Sequence, residues 1–123
     1  MASGTSKETE IKLVSVARAS LEELLLDYQD FLRQHGLCLW GKDHPSAQEI
    51  RQLAWLSNRS YLTYSIYIEK STAEIAANAM ICLIHQTNYL LDQQLRQLEQ
   101  QFLQEGGFRE RLYNARKNIR DQR

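Results

Sequence analysis

From Ile75 onward, apolar residues recur at three- and four-residue spacing through Ala76, Ala79, Cys82, Leu83, Leu90, Leu91, Leu95, Leu98 and Phe102, the period of one face of an α-helix. Ser71 with Glu74 forms a capping-box pattern at the start of this stretch, and Gly106-Gly107 offers a C-cap at its end. The spacing therefore predicts one helix over Ser71 to Glu105. At about 1.5 Å per residue it runs roughly 50 Å, so its partners must also be long helices.

Val14, Ala17, Leu21, Leu24, Leu25, Tyr28, Phe31 and Leu32 predict an earlier helix, opened by a Thr5/Glu8 capping box, running to His35 and ended by Gly36. Leu13, Val16 and Leu26 lie off its main stripe. Its apolar arc is thus wider than one neighbour needs. Asp43-His44-Pro45-Ser46 is turn chemistry, and Ser46 with Glu49 opens a helix through Ile50, Leu53, Ala54, Trp55 and Leu56. Leu37, Leu39 and Trp40 in the preceding connection are expected to tuck under the end of the helices. Between Tyr61 and Ile68, Leu62, Tyr64, Ile66 and Ile68 alternate with Tyr61, Thr63, Ser65 and Tyr67, a strand signature. A lone strand has no partner in a helical domain, so an extended or irregular connector over residues 58–70 is expected. Phe108, Leu112, Ala115 and Ile119 predict a short terminal helix. The expected fold is an all-α antiparallel helical bundle over residues 1–107, followed by a basic C-terminal helix or tail over residues 108–123.

Composition adds little except through its distribution. The 123-residue chain carries 15 basic and 15 acidic residues, so no global field recruits nucleic acid or an anionic membrane. Residues 108–123, however, hold six basic and two acidic groups, which leaves the body acidic. Two cysteines make no disulfide framework, there is no signal-peptide pattern, and no apolar run approaches the length of about eighteen residues that spans a membrane. A cytoplasmic protein with no membrane contact is expected.

No Ser/His/Asp set, phosphate loop or glycine-rich nucleotide turn is present, so the chain is not expected to be an enzyme and no cofactor is expected. No metal is assigned either. The candidates for one are His35 with Cys38, Cys82 with His85, and His44 between them, because four Cys/His ligands suit tetrahedral zinc. Against it, Cys82 stands in the apolar string Met80 to Ile84, where cysteine is ordinarily a small core residue. Glu22, Glu23, Asp27 and Asp30 lack the Glu-x-x-His pattern of a di-metal bundle and are expected to form a solvated face, as is the Gln-rich run from Gln93 to Gln104. Asn78, Gln86, Thr87 and Asn88 place amides and a hydroxyl near the core of the long helix, where buried hydrogen bonds would fix register, with the lining of a groove as the alternative. Arg109, Arg111, Arg116, Lys117, Arg120 and Arg123 form the candidate binding patch, since arginine suits phosphate and carboxylate partners. A solvated face that offsets the acidic body is the competing assignment.

Two segments carry a family resemblance. Ala2-Ser-Gly-Thr-Ser-Lys-Glu-Thr-Glu10 leading into Ala17-Arg-Ala-Ser-Leu-Glu-Glu-Leu24 resembles the latter half of the bacterial four-helix-bundle, ribosomal-protein-like proteins first noticed in intervening sequences of ribosomal RNA genes. Glu74-Ile-Ala-Ala-Asn78, Gln86-Thr-Asn-Tyr-Leu-Leu91, Gly106-Gly107 and Arg109 to Arg116 resemble the suffix region that extends some members. The resemblance implies a helical bundle without enzymatic activity that assembles into rings, with pentamers the expected size. The accessory variability protein of diversity-generating retroelements is a similar relative that binds nucleic acid and a reverse transcriptase through a basic barrel, in contrast to the acidic body here. Family members usually carry upstream helices that would lie before this chain, so self-association is expected to cover the wide apolar arc. The expected role is an oligomeric scaffold or protein-interaction module. The alternative is a nucleic-acid-binding accessory protein that contacts RNA or DNA through the arginine-rich segment.

Overall fold

The structure, a computed structural model, describes the backbone of residues 4–56 and 60–121, and within them the side chains of residues 6–56, 60–106 and 113–119. Four helices account for most of these residues: α1 (Gly4–Gln34), α2 (Pro45–Leu53), α3 (Tyr61–Ile68) and α4 (Ala73–Asp121). No strand occurs among the described residues. The fold is all-α, as the helical spacing predicts. The chain forms two compact units, one from residues 1–18 with 91–123 and the other from residues 19–90.

In the first unit the start of α1 lies antiparallel to the later part of α4. Lys7 Nζ donates to Gln101 Oε1 at 2.6 Å, and eleven residues further along α1 the Arg18 guanidinium reaches the Asp92 carboxylate, Nη2 donating to Oδ2 at 3.4 Å. Val14 and Leu98 are buried in this unit. Both ion-pair partners are more than a third exposed, so the pair sets alignment more than stability.

The second unit holds two apolar clusters on different faces of α4. Leu25 and Leu32 of α1 bury with Ala77, Ile81 and Ile84 of α4, joined by Leu21, Tyr28, Phe31 and Leu37. Ile50 of α2 and Tyr64 of α3 bury with Ala79, joined by Trp40, Leu53, Tyr67, Ile68, Cys82 and Leu83. Ala77, Ile81 and Ile84 lie four and three residues apart, one line of a helix, whereas Ala79, Cys82 and Leu83 lie about half a turn round, on the opposite face. Alanine at positions 77 and 79 lets the flanking helices approach closely. The tucked position expected for Leu37, Leu39 and Trp40 is met by Leu37 and Trp40, while Leu39 is exposed.

Asn78 sits between the two lines and is 1% exposed. Its Oδ1 accepts from Trp40 N at 2.8 Å, and its Nδ2 donates to Cys38 O and Glu74 O, each at 2.8 Å. Glu74 Oε1 adds a bond from Cys38 N at 2.6 Å. Here the expected register-fixing amide is realised. Thr87, by contrast, bonds its own helix at Leu83 O, and Gln86 Nε2 and Asn88 Oδ1 are buried without a hydrogen-bond partner among the described residues.

Gly36 ends α1 as its sequence predicts, at φ +64°. Gly36 N donates to Arg33 O and Leu37 N to Leu32 O, the paired bonds of a Schellman motif. Other local expectations are corrected. Residues 61–68 are helical: Tyr64 and Ser65 are buried, with Tyr67 and Ile68 half-buried, a spacing of one, three and four that only a helix brings to one face. Because nearly every residue in the stretch is apolar, aromatic or a small hydroxyl, alternation there carries no polar face to orient a strand. Residues 58 and 59, also part of the expected connector, lie outside the described residues. The stop expected at Gly106-Gly107 is absent, and the separate terminal helix is the end of α4, which runs on to Asp121. Glycine in a helix interior costs about 1 kcal/mol relative to alanine, and the flanking Gln, Glu, Leu and Arg residues favour the helix enough to carry it through.

The capping boxes also shift. Thr72, rather than Ser71, caps α4, its Oγ1 accepting from Ile75 N at 3.3 Å, and Ser71 Oγ donates to Tyr67 O. His44 Nδ1, rather than Ser46, caps α2, accepting from Ser46 N at 3.1 Å with Pro45 at the first helical position. Thr5 already lies inside α1, and Glu8 pairs with Lys12 at 3.6 Å.

Replacing Asn78 by Leu leaves a buried amide and a carbonyl of the 38–40 segment unpaired, and the expected loss is about 3 kcal/mol in urea unfolding of the full chain. A second test concerns Tyr67, whose hydroxyl donates to Glu49 Oε1 at 2.7 Å and ties α3 to α2. Burial, reinforced by that bond and the Glu49 charge, pushes its pKa up to about 12 from 10.0. The neutral phenol is favoured in the folded chain, so its contribution is fully present below about pH 10 and is lost as the pH rises toward about 12. Tyr67→Phe should make the fall of the urea midpoint across that window shallower.

Candidate interaction site

The second unit carries an open apolar groove of about 410 Å³, walled by Leu24, Asp27, Tyr28 and Phe31 of α1, Ala73, Ala76, Ala77 and Met80 of α4, and Ile68 at the end of α3. Its origin is the breadth of the α1 arc. Leu21, Leu25, Tyr28 and Leu32 turn into the cluster on α4, and the adjoining line through Leu24, Asp27 and Phe31 is left at the edge. On α4 the small side chains of Ala73, Ala76 and Ala77 keep the floor shallow. Leu24 is 37% exposed and Leu26, two residues on, is 58% exposed. Among the described residues Asp27 is the one charged residue in the lining. In the first unit Leu13 and Val16 are 66% and 64% exposed, so the off-stripe residues singled out by spacing are uncovered in both units.

The four metal-ligand candidates are not brought together. His35 is exposed, its Nδ1 lies 2.9 Å from Phe31 O, and its ring rests 4.2 Å from that of Phe31. Cys38 is exposed and takes part through its backbone. Cys82 and His85 do line one cavity, without His35 or Cys38. Burial raises the Cys82 thiol pKa, with the Arg51 charge opposing it, which fits the small core residue that its apolar neighbours suggest. His44 serves instead as the α2 cap and stacks on Trp40 at 4.7 Å between ring centroids. Among the described residues no group of three or more His, Cys, Asp or Glu side chains gathers to hold a metal ion. Glu22, Glu23, Asp27 and Asp30 are exposed, and Asp30 pairs with Arg33 at 2.9 Å.

Of the basic candidates, Arg116 and Lys117 are exposed near the end of α4, beside exposed Tyr113 and Ile119. Arg109, Arg111 and Arg120 lie within the helical backbone, but their side chains fall outside the described residues, as does Arg123 altogether. The continuous helix gives positions 109, 113, 116 and 120 spacings of four, three and four, one line along its surface.

The groove's α4 wall was not foreseen, because Ala73 and Ala76 count as weakly apolar and only the partner helix reveals the trough between them. A second cavity, about 370 Å³, was missed for a different reason. Its residues come from α1, the 39–42 connection, α2 and α4, and no spacing in the sequence joins them. In comparison with known proteins, the chain matches no family model, no curated protein and no solved structure. Among the described residues no helix is long and apolar enough to cross a membrane.

Proposed function

We propose that this chain works as a non-enzymatic helical scaffold that self-associates, a second copy covering the apolar groove of α1 and α4. The observation that carries this reading is the groove itself: Leu24, Tyr28, Phe31, Ile68 and Met80 border a trough with a single charge in its lining among the described residues. Apolar surface of this kind gains about 25 cal/mol per Å² when it leaves water, and contiguous patches of it on a folded chain mark interaction sites. The uncovered Leu13 and Val16 of the first unit add a second face of the same character. A homo-oligomer, expected from the family resemblance to be a pentameric ring, meets both needs with further copies of the same chain.

Size-exclusion chromatography with light scattering should give a defined oligomer for the full chain. Leu24→Asp, a change at a half-exposed helix position, should lower the mass to smaller species and weaken association about tenfold or more, with the circular dichroism melt little changed. A wild-type monomer across the micromolar range overturns the reading.

A second reading has one observation of its own, the single line formed by positions 109, 113, 116 and 120 on the last turns of α4. There arginine at three of the four positions, with Lys117 beside them and Tyr113 between, suits contacts to nucleic-acid phosphates with a base stacked on the ring. In this reading the scaffold presents one such line per copy, and multiplicity raises the apparent affinity. Fluorescence anisotropy with single-stranded RNA should show binding that falls with salt. The Arg116→Glu, Lys117→Glu double variant should reduce the log–log salt slope by about two. Unchanged binding in that variant excludes this segment as the contact.

A further inference from the structure

The second cavity differs from the groove in chemistry. Leu39, Trp40, Ala47 and Ile81 give it apolar walls, and Lys42 and Arg51 bring two cations to it. Among the described residues no carboxylate lines it. Its volume of about 370 Å³ lies within the range of small-molecule sites.

Arg51 is the informative residue. It is half-buried on α2, and its guanidinium donates from Nη2 to the Lys42 carbonyl, a neutral partner. No carboxylate among the described residues lies within ion-pair distance of it. Acidic groups are as numerous as basic ones in this chain, so the missing counter-charge does not reflect scarcity. The field of the same guanidinium reaches the Cys82 thiol on the cavity wall, where it favours the thiolate against burial. A partly desolvated arginine without a counter-ion is a strong, geometrically specific acceptor site for a carboxylate. Asn78, although in the lining, has its carboxamide engaged by the 38–40 backbone and by Glu74 O. It therefore leaves ligand charge to Arg51 and Lys42.

We propose that this cavity binds a small aromatic carboxylate, its anionic group held by Arg51 and Lys42 and its flat body against Trp40, Leu39 and Ile81. The site is separate from the groove used for self-association and does not depend on it.

The test uses the full chain carrying Cys38→Ser, so that Cys82 is its single thiol, and follows alkylation of Cys82 by iodoacetamide at mildly alkaline pH. The probe is 2-naphthoate, with the neutral, isosteric 2-naphthamide as its control. The expected result is saturable protection of Cys82 by naphthoate and protection about tenfold weaker by the amide. Arg51→Gln should weaken naphthoate protection about tenfold or more. Lys42→Gln, at an exposed position whose side chain makes no hydrogen bond or ion pair among the described residues, should weaken it about threefold and keeps the test valid if the Arg51 variant unfolds. Absence of protection at millimolar naphthoate overturns the proposal. So does equal protection by the amide, or protection unchanged in Lys42→Gln and in any folded Arg51→Gln.

Discussion

The carboxamide of Asn78 is the constraint on which the second unit depends. It stands on α4 between a line of side chains packed on α1 and a line packed on α2 and α3, and it spends its polar atoms on the chain segment that links those helices. A leucine there would add apolar area but would leave Cys38 O and Trp40 N without these partners at a part-buried place. By holding that segment, Asn78 sets where Trp40 lies. Trp40 in turn receives His44, and His44 starts α2. One amide therefore propagates into the position of a whole helix, and Glu74, one turn earlier, repeats the grip at Cys38 N.

This arrangement lets α4 serve two neighbours at once. A helix with one partner needs a single stripe, while α4 is apolar on two opposite faces, with buried alanine at 77 on one and at 79 on the other. α1 is broad for the opposite reason. It has one partner line and an adjoining line of comparable apolar character that nothing in the second unit fully covers. The groove and the packed core are consequences of the same sequence property read on two helices, one satisfied within the chain and one left open.

How much of this was legible in the sequence depends on how far apart the deciding residues lie. The extents of α1 and the body of α4 follow from long three-four periodicity, and the Schellman end at Gly36 from one glycine after a run of regular spacing. Short stretches misled. Tyr61 to Ile68 is so uniformly apolar and aromatic that two periods fit it, and burial of Tyr64 and Ser65 by the neighbouring helices chose between them. Gly106 and Gly107 look like a stop, yet a glycine ends a helix only where the backbone turns left-handed, and among the described residues Gly36 alone does so. Hydroxyl-plus-glutamate patterns marked the starts of α1, α2 and α4 to within a few residues, but Thr72 and His44 took the caps of α4 and α2. Of the groove, the α1 wall was visible as Leu24, Tyr28 and Phe31 of the main stripe. The cavity at Arg51 was not visible at all, because it is assembled from four separate segments.

The two tryptophans have unlike surroundings, and this divides what light can report about the chain. Trp55, past the end of α2, is 88% exposed, so its indole already meets water in the folded chain and changes little when the chain unfolds. Trp40 is half-buried, stacked on the His44 ring and anchored through its own backbone amide to Asn78. A shift in intrinsic emission is therefore chiefly a signal from the 38–40 segment leaving α4. Intrinsic fluorescence thus reads one junction of the molecule, the one that Asn78 closes, rather than an average over the fold.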